Sequence, residues 1–195
     1  MAPPQEAFQP LSERFDRALA LASERHRDHN RKGTAIPYIS HLMAVSALVL
    51  ENGGDEDEAI AGLLHDLVED TDTTVEEIRE RFGDKVAGIV DACSDADTQP
   101  KPPWRERKEA YIAHLRDSPE PVQRVSAADK LHNARSLLAD YRDQGEALWE
   151  RFNAGPEDTL WFYRGVLDTL DARALPGLTG ELDRVLGTLE SLREG

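Results

Sequence analysis

The densest apolar patterning in the chain lies between Ile60 and Val68. Ile60, Leu63, Leu64, Leu67 and Val68 recur at i, i+3, i+4, i+7 and i+8, the spacing of one helical stripe. At 100° per residue, Gly62, His65, Asp66 and Glu69 fall on the opposite side of the same helix. A solvated helix face usually carries Lys, Arg, Gln and Glu. This one carries a glycine, a histidine and acids massed without counter-charges.

The rest of the chain also patterns as helices. Ser12 is placed to cap a first helix with Phe15, Ala18, Leu19 and Ala22 on one face, and the basic stretch Arg25–Lys32 follows it. His26 and His29 in that stretch read as surface histidines. Pro37 is expected at the first position of a second helix, which carries His41 and closes at Gly53-Gly54. Asp55 is placed to cap the His65-Asp66 helix. Thr73-Thr74-Val75-Glu76 reads as a capping box for a short helix ending at Phe82-Gly83, and Asp84 opens another that runs to Cys93. Residues 94–103 hold three prolines and are expected to form an exposed loop. Helices are then predicted over Trp104–Leu115, Val122–Tyr141, Leu148–Phe152, Thr159–Ala174 and Thr179–Arg193. The Val122–Tyr141 helix bears Asp129, His132, Asn133 and Ser136 at i, i+3, i+4, i+7, interleaved with apolar positions. No segment alternates with period two. The prediction is therefore an all-α bundle of about eight to ten helices.

Composition narrows the function. The chain has 195 residues, 39% hydrophobic and 31% charged, which fits one globular domain over 12–195 preceded by a disordered tail over 1–11. The longest apolar run, Leu42–Leu50, is interrupted by Ser46 and is too short for a bilayer. A single cysteine, Cys93, excludes an internal disulfide and suits the cytoplasm. A net charge of −15 argues against a nucleic-acid polymer as partner, but leaves room for a small phosphorylated ligand. Nothing in the sequence indicates oligomeric state.

Three predicted helices thus offer His41, then His65-Asp66, then Asp129. Two imidazoles and two carboxylates suit one divalent ion of borderline hardness, such as Mn²⁺, Fe²⁺, Co²⁺ or Zn²⁺. Such an ion lowers the pKa of bound water and polarises a phosphoryl oxygen. Glu69 and Asp70 lie one turn further on, where they can orient that water or take its proton. Taken singly, each motif has a blander explanation: His41 and His132 as core histidines, Asp129 as the surface partner of Lys130 or Arg124.

The order His, His-Asp, Asp on successive helices resembles the HD-domain phosphohydrolases. More narrowly, Pro37-Tyr38-Ile39-Ser40-His41, Leu64-His65-Asp66-Leu67-Val68-Glu69-Asp70-Thr71, Phe82-Gly83 and Ala128-Asp129-Lys130-Leu131-His132-Asn133-Ala134-Arg135 resemble the hydrolase domain of the RelA/SpoT family, over residues 14–140. That resemblance implies a stand-alone alarmone hydrolase, a Mn²⁺-dependent 3′-pyrophosphohydrolase of guanosine tetra- and pentaphosphate. It implies His41, His65, Asp66 and Asp129 as metal ligands, and Glu69 and Asp70 as the pair that positions the attacking water. It also implies Arg31, Lys32, Asn133 and Ser136 as substrate-binding residues. The chain departs from the family at Gly33-Thr34-Ala35-Ile36-Pro37, one residue longer than the usual turn and without its acid, and at Leu42, where proline is usual. Tyr163 and Arg164 are further candidates for the nucleotide site; residues 141–195 match no motif and are expected to form a helical extension. Two alternatives stay open: an HD phosphohydrolase of another nucleotide (a nucleoside monophosphate, a dinucleotide or NADPH), and a nucleotide sensor without turnover.

Overall fold

A computed structural model describes residues 10–94, 102–152 and 154–194. They form ten α-helices and one 3-10 helix: α1 Glu13–Arg25, α2 Ile39–Glu51, α3 Glu56–Leu64, α4 Leu67–Asp70, α5 Val75–Phe82, α6 Asp84–Cys93, α7 Trp104–Asp117, α8 Glu120–Gln144, the 3-10 helix Gly145–Arg151, α9 Pro156–Thr169 and α10 Pro176–Glu194. The all-α expectation holds. Among the described residues the one extended pairing is an isolated bridge between Asn30 and Pro37. The predicted tail falls mostly, and the loop over 94–103 largely, outside the described residues.

Helix α8 is the spine. Its buried positions run from Val122 to Tyr141, and it packs against α2, α3, α6, α9 and α10. It starts earlier than expected because Pro119 and Pro121 stand at its first turn, where a missing N–H leaves no bond unmade. Helix α3 lies inside the bundle, with Ala59, Ile60, Ala61, Gly62, Leu63 and Leu64 all buried against α1, α2, α6 and α8. Gly62 therefore belongs to the packing and not to a polar face. Its missing side chain lets α3 approach α2: a Cβ there would lie 3.2 Å from the Ser46 Cα and 3.3 Å from its backbone nitrogen.

Three local features differ from expectation. The single helix predicted through His65-Asp66 breaks between Leu64 and Leu67. His65 donates from Nδ1 to the Gly62 carbonyl at 2.9 Å, and Asp66, with ψ near −3°, restarts the backbone as the cap of α4. Pro37 sits two residues before α2, in the bridge with Asn30, so Tyr38 takes the cap position. The cap of α5 is Thr74 with Glu77, one residue later than the predicted box. By contrast, Ser12 and Asp55 cap α1 and α3 as expected.

Candidate metal centre

The break between α3 and α4 has a chemical consequence. It turns His65 and Asp66 toward one point, which His41 approaches from α2 and Asp129 from α8. His65 Nε2 lies 3.1 Å from Asp66 Oδ2 and 3.7 Å from Asp129 Oδ1; His41 Nε2 lies 3.6 and 3.2 Å from the same two atoms. His41, His65 and Asp66 each offer one ligand atom within a 4.8 Å span, the size of a metal-ion site, and Asp129 Oδ1 borders it. His41, His65 and Asp129 are 1%, 4% and 6% exposed, so these groups have left water.

The donor set fits a cation. Because His65 Nδ1 donates to the Gly62 carbonyl, a neutral ring presents the lone pair of Nε2 to two carboxylates. That buried nitrogen aligns with neither carboxylate as a hydrogen bond. Only positive charge between the groups reconciles them. The titration tendencies agree: burial acts to lower His65, but Asp66 and Asp129 hold its pKa well above the usual imidazole range. Burial would likewise raise Asp66 and Asp129. The His65 imidazole reverses this at Asp66 and the Lys130 ammonium at Asp129, with both histidines close to each carboxylate, and both carboxyls stay well below the usual range. A proton on His65 meets part of this demand; a divalent ion meets it with more charge.

Around these four groups stands a set of orienting partners. Tyr38 donates its hydroxyl to Asp66 Oδ2 at 2.6 Å, and its ring stacks on His26 at 4.8 Å between centroids. His41 Nδ1 meets His132 Nδ1 at 2.8 Å. Asp129 accepts from Asn133 Nδ2 through Oδ1 and pairs with Lys130 through Oδ2. Asn133 in turn accepts from Arg31 at 2.5 Å, so Arg31 reaches Asp129 through one amide. The turn that carries Arg31 is closed by Arg31 N–H to the Ile36 carbonyl at 2.8 Å, with Gly33 at φ +71°, a conformation glycine tolerates best.

One cavity opens on the centre, and a second adjoins it at Tyr38 and Asn133. The first, about 150 Å³, is lined by His65, Asp66, Glu69, Asp129, Lys108 and Lys130, among others. Lys108 and Lys130 both lie over the Tyr111 and Phe162 rings. Asp70 stands just beyond; desolvation and the Asp66 charge push its carboxyl up. The other cavity, about 420 Å³, is lined by Arg31, Lys32, Ser136 and Asn133 with Tyr38, His132, Phe152, Thr159 and Tyr163. Arg164 is not there: it pairs with Asp183 and Glu190 between α9 and α10. His26 and His29 need correction too. His26 is 2% exposed, and His26 Nδ1 meets His29 Nδ1 at 2.9 Å. Burial pulls the His26 pKa down to about 4. Nor does Asp129 pair with its neighbour at the surface: it meets Lys130 inside the site, while Arg124 joins Glu58 and Glu120. Tyr38, His132, Lys108 and Lys130 were given no site role from sequence. Of these, His132 and Lys130 had a signal, their place beside Asp129 on one buried helix.

An all-α bundle that gathers His, His-Asp and Asp from three helices defines a class. Residues 18–159 match the HD domain family, and the chain belongs to it. Such domains hold a divalent metal, and the His/Asp cluster is present here. The chain is 41% identical over 123 residues to guanosine-3′,5′-bis(diphosphate) 3′-pyrophosphohydrolase MESH1 of Xenopus tropicalis, covering 62% of this chain and 67% of the frog protein. It is 37% identical over 127 residues to the guanosine-3′,5′-bis(diphosphate) 3′-pyrophosphohydrolase of Aquifex aeolicus, but that match covers 65% of this chain and only 18% of the bacterial one. The solved structure of a metazoan ortholog of SpoT that hydrolyses ppGpp superposes with a TM-score of 0.78 at 28% identity, over 94% of this chain and 98% of that one.

Proposed function

We propose that this protein is a 3′-pyrophosphohydrolase of guanosine tetra- and pentaphosphate, that His41, His65, Asp66 and Asp129 hold its divalent ion, and that Mn²⁺ is the preferred ion. The observation that carries the metal assignment is the buried His65 Nε2, which lies 3.1 and 3.7 Å from two carboxylate oxygens without a hydrogen bond to either. The substrate assignment rests on likeness to proteins named for this activity and on two adjoining cavities of contrasting lining.

When bound, the ion supplies Lewis acidity toward the phosphoryl group and makes water a better nucleophile at neutral pH. The protein supplies position and proton transfer. Glu69, on the small cavity beside His65 and Asp66, orients the attacking water. Asp70, whose raised pKa suits a proton acceptor, takes the proton. The water oxygen forms a bond to the 3′ phosphorus, the bond from that phosphorus to the ribose 3′ oxygen breaks, and the ribose oxygen gains a proton. Pyrophosphate leaves intact, and GDP or GTP remains. Lys108 and Lys130 face the charge of the departing group in the small cavity, while Arg31, Lys32, Asn133 and Ser136 line the larger one toward the nucleotide. Among the described residues no helix is long and apolar enough to cross a membrane, and with one cysteine the chain suits a cytoplasmic enzyme.

The test is incubation of Mn²⁺-loaded protein with guanosine tetraphosphate, nucleoside monophosphates and NADPH, with products separated by chromatography. GDP and pyrophosphate in equal amounts are expected. Intact guanosine tetraphosphate beside rapid loss of another substrate overturns the substrate assignment; tight nucleotide binding with no turnover makes the protein a sensor.

A further inference from the structure

His132 stands one turn after Asp129 on α8, between the metal centre and the larger cavity. Its Nδ1 is 2.8 Å from Nδ1 of His41, and the gap between two ring nitrogens holds one proton. If His132 supplied that proton, a neutral His41 would keep its own on Nε2, aimed at Asp66 Oδ2 and Asp129 Oδ1 and unable to bind a cation. If His41 supplies it, the Nε2 lone pair is free. His132 then carries its single proton on Nε2, the remaining polar atom of a ring that lines the larger cavity.

We propose that His132 is a positioning residue with two tasks: it fixes the His41 tautomer that leaves Nε2 free for the metal, and it presents an N–H donor to an acceptor on the nucleoside half of the substrate. The proposal rests on the reading of His41 as a metal ligand. In the neutral ring the two tasks are linked, since Nδ1 accepts from His41 while the single proton sits on Nε2. A partner of this kind typically changes metal affinity 10–100-fold when removed, because the ligand is then free to adopt the wrong tautomer.

Three variants separate the tasks. His132→Leu removes both, and is expected to weaken Mn²⁺ binding, measured by competition with a chelating dye, about 10–100-fold and to raise KM for guanosine tetraphosphate. His132→Asn keeps an acceptor where Nδ1 stood, so Mn²⁺ affinity should return while KM stays high. His132→Gln reaches the Nε2 position, so KM should recover while Mn²⁺ affinity stays low. Mn²⁺ affinity equal in all four proteins, or a loss in the leucine variant that asparagine does not rescue, overturns the first task; unchanged KM throughout overturns the second. Imidazole ¹⁵N spectra of the unsubstituted, Zn²⁺-loaded protein give an independent check: protons on His41 Nδ1 and His132 Nε2 are expected, and a proton on His132 Nδ1 overturns the assignment whatever the variants do. Failure of the unsubstituted protein to take up any divalent ion overturns the metal-centre reading itself, and this proposal with it.

Discussion

Glu69 and Asp66 are both acids within one helical turn, yet their surroundings divide them. Asp66 is drawn into the His41–His65 cluster and tied to Tyr38, whereas Glu69 is solvent-exposed on the rim of the small cavity. Glu69→Gln is therefore expected to keep Mn²⁺ stoichiometry and lose turnover by about 100-fold or more, the scale of a general acid–base contribution. Loss of metal as complete as in Asp66→Ala, measured by equilibrium dialysis, would make Glu69 a ligand instead. His26 yields a prediction of a different kind. Its folded pKa of about 4 lies below the 6.5 of an unfolded imidazole, so the unfolded chain binds the extra proton first. Its contribution is intact above pH 6.5 and is lost as pH falls toward 4, by about 2 kcal/mol at pH 5. Urea unfolding at pH 7.5 and pH 5 should show that loss in the wild type relative to His26→Phe, which stays uncharged and retains a ring to stack on Tyr38. A difference between the two proteins that does not change with pH would contradict it.

At the scale of the element, the α3–α4 break shows what one-dimensional patterning conveys and what it misses. The stripe Ile60, Leu63, Leu64, Leu67 and Val68 was legible because burial selects apolar residues at helical spacing; the first four are buried and Val68 is half-buried. The break was not, because it depends on a side-chain bond from His65 to the Gly62 carbonyl that periodicity does not encode. Gly62 was legible only as unusual: on a helical wheel it shares a side with His65, yet α3 is enclosed on all sides and Gly62 serves the contact with α2. The burial of His26 was hidden for a similar reason, since its cover comes from Tyr38, twelve positions along and across a turn. A methyl at position 62 would press on the Ser46 backbone, which cannot rotate away. Gly62→Ala is expected to destabilise by roughly 1 kcal/mol net, overpacking outweighing the gain in helix propensity. It should also weaken Mn²⁺ binding, because α2 carries His41 and α3 leads into His65. Gly88→Ala on α6, where a Cβ meets nothing within 4 Å, is the control, expected to stabilise by roughly 0.5–1 kcal/mol. Chemical denaturation of both variants checks the opposite signs.

Across the whole molecule, the segment after residue 140 has a use that no motif announced. Phe152, Thr159 and Tyr163 line the larger cavity together with Arg31 and Ser136, and α10 packs along α8. Such a lining needs only shape and apolar surface, which leave no signature in sequence, whereas the ligand-bearing helices needed fixed residue types and could be read. The same arrangement makes the fold hold carboxylates out of water at its centre, on a chain already at −15. An ion that binds the folded state and not the unfolded chain stabilises it by mass action, by about 2.7 kcal/mol at a hundred times Kd. For a chain of this size, that corresponds to a rise in Tm of about 5–10 °C. Thermal unfolding in excess chelator and in increasing Mn²⁺ should show a midpoint that climbs with the ion. The climb should vanish in Asp66→Ala and Asp129→Ala, which lose ligands, and persist in Glu69→Gln, which does not. A climb of equal size in Asp129→Ala would mean that the stabilising ion sits elsewhere on this acidic surface, and the four-residue centre would have to be withdrawn.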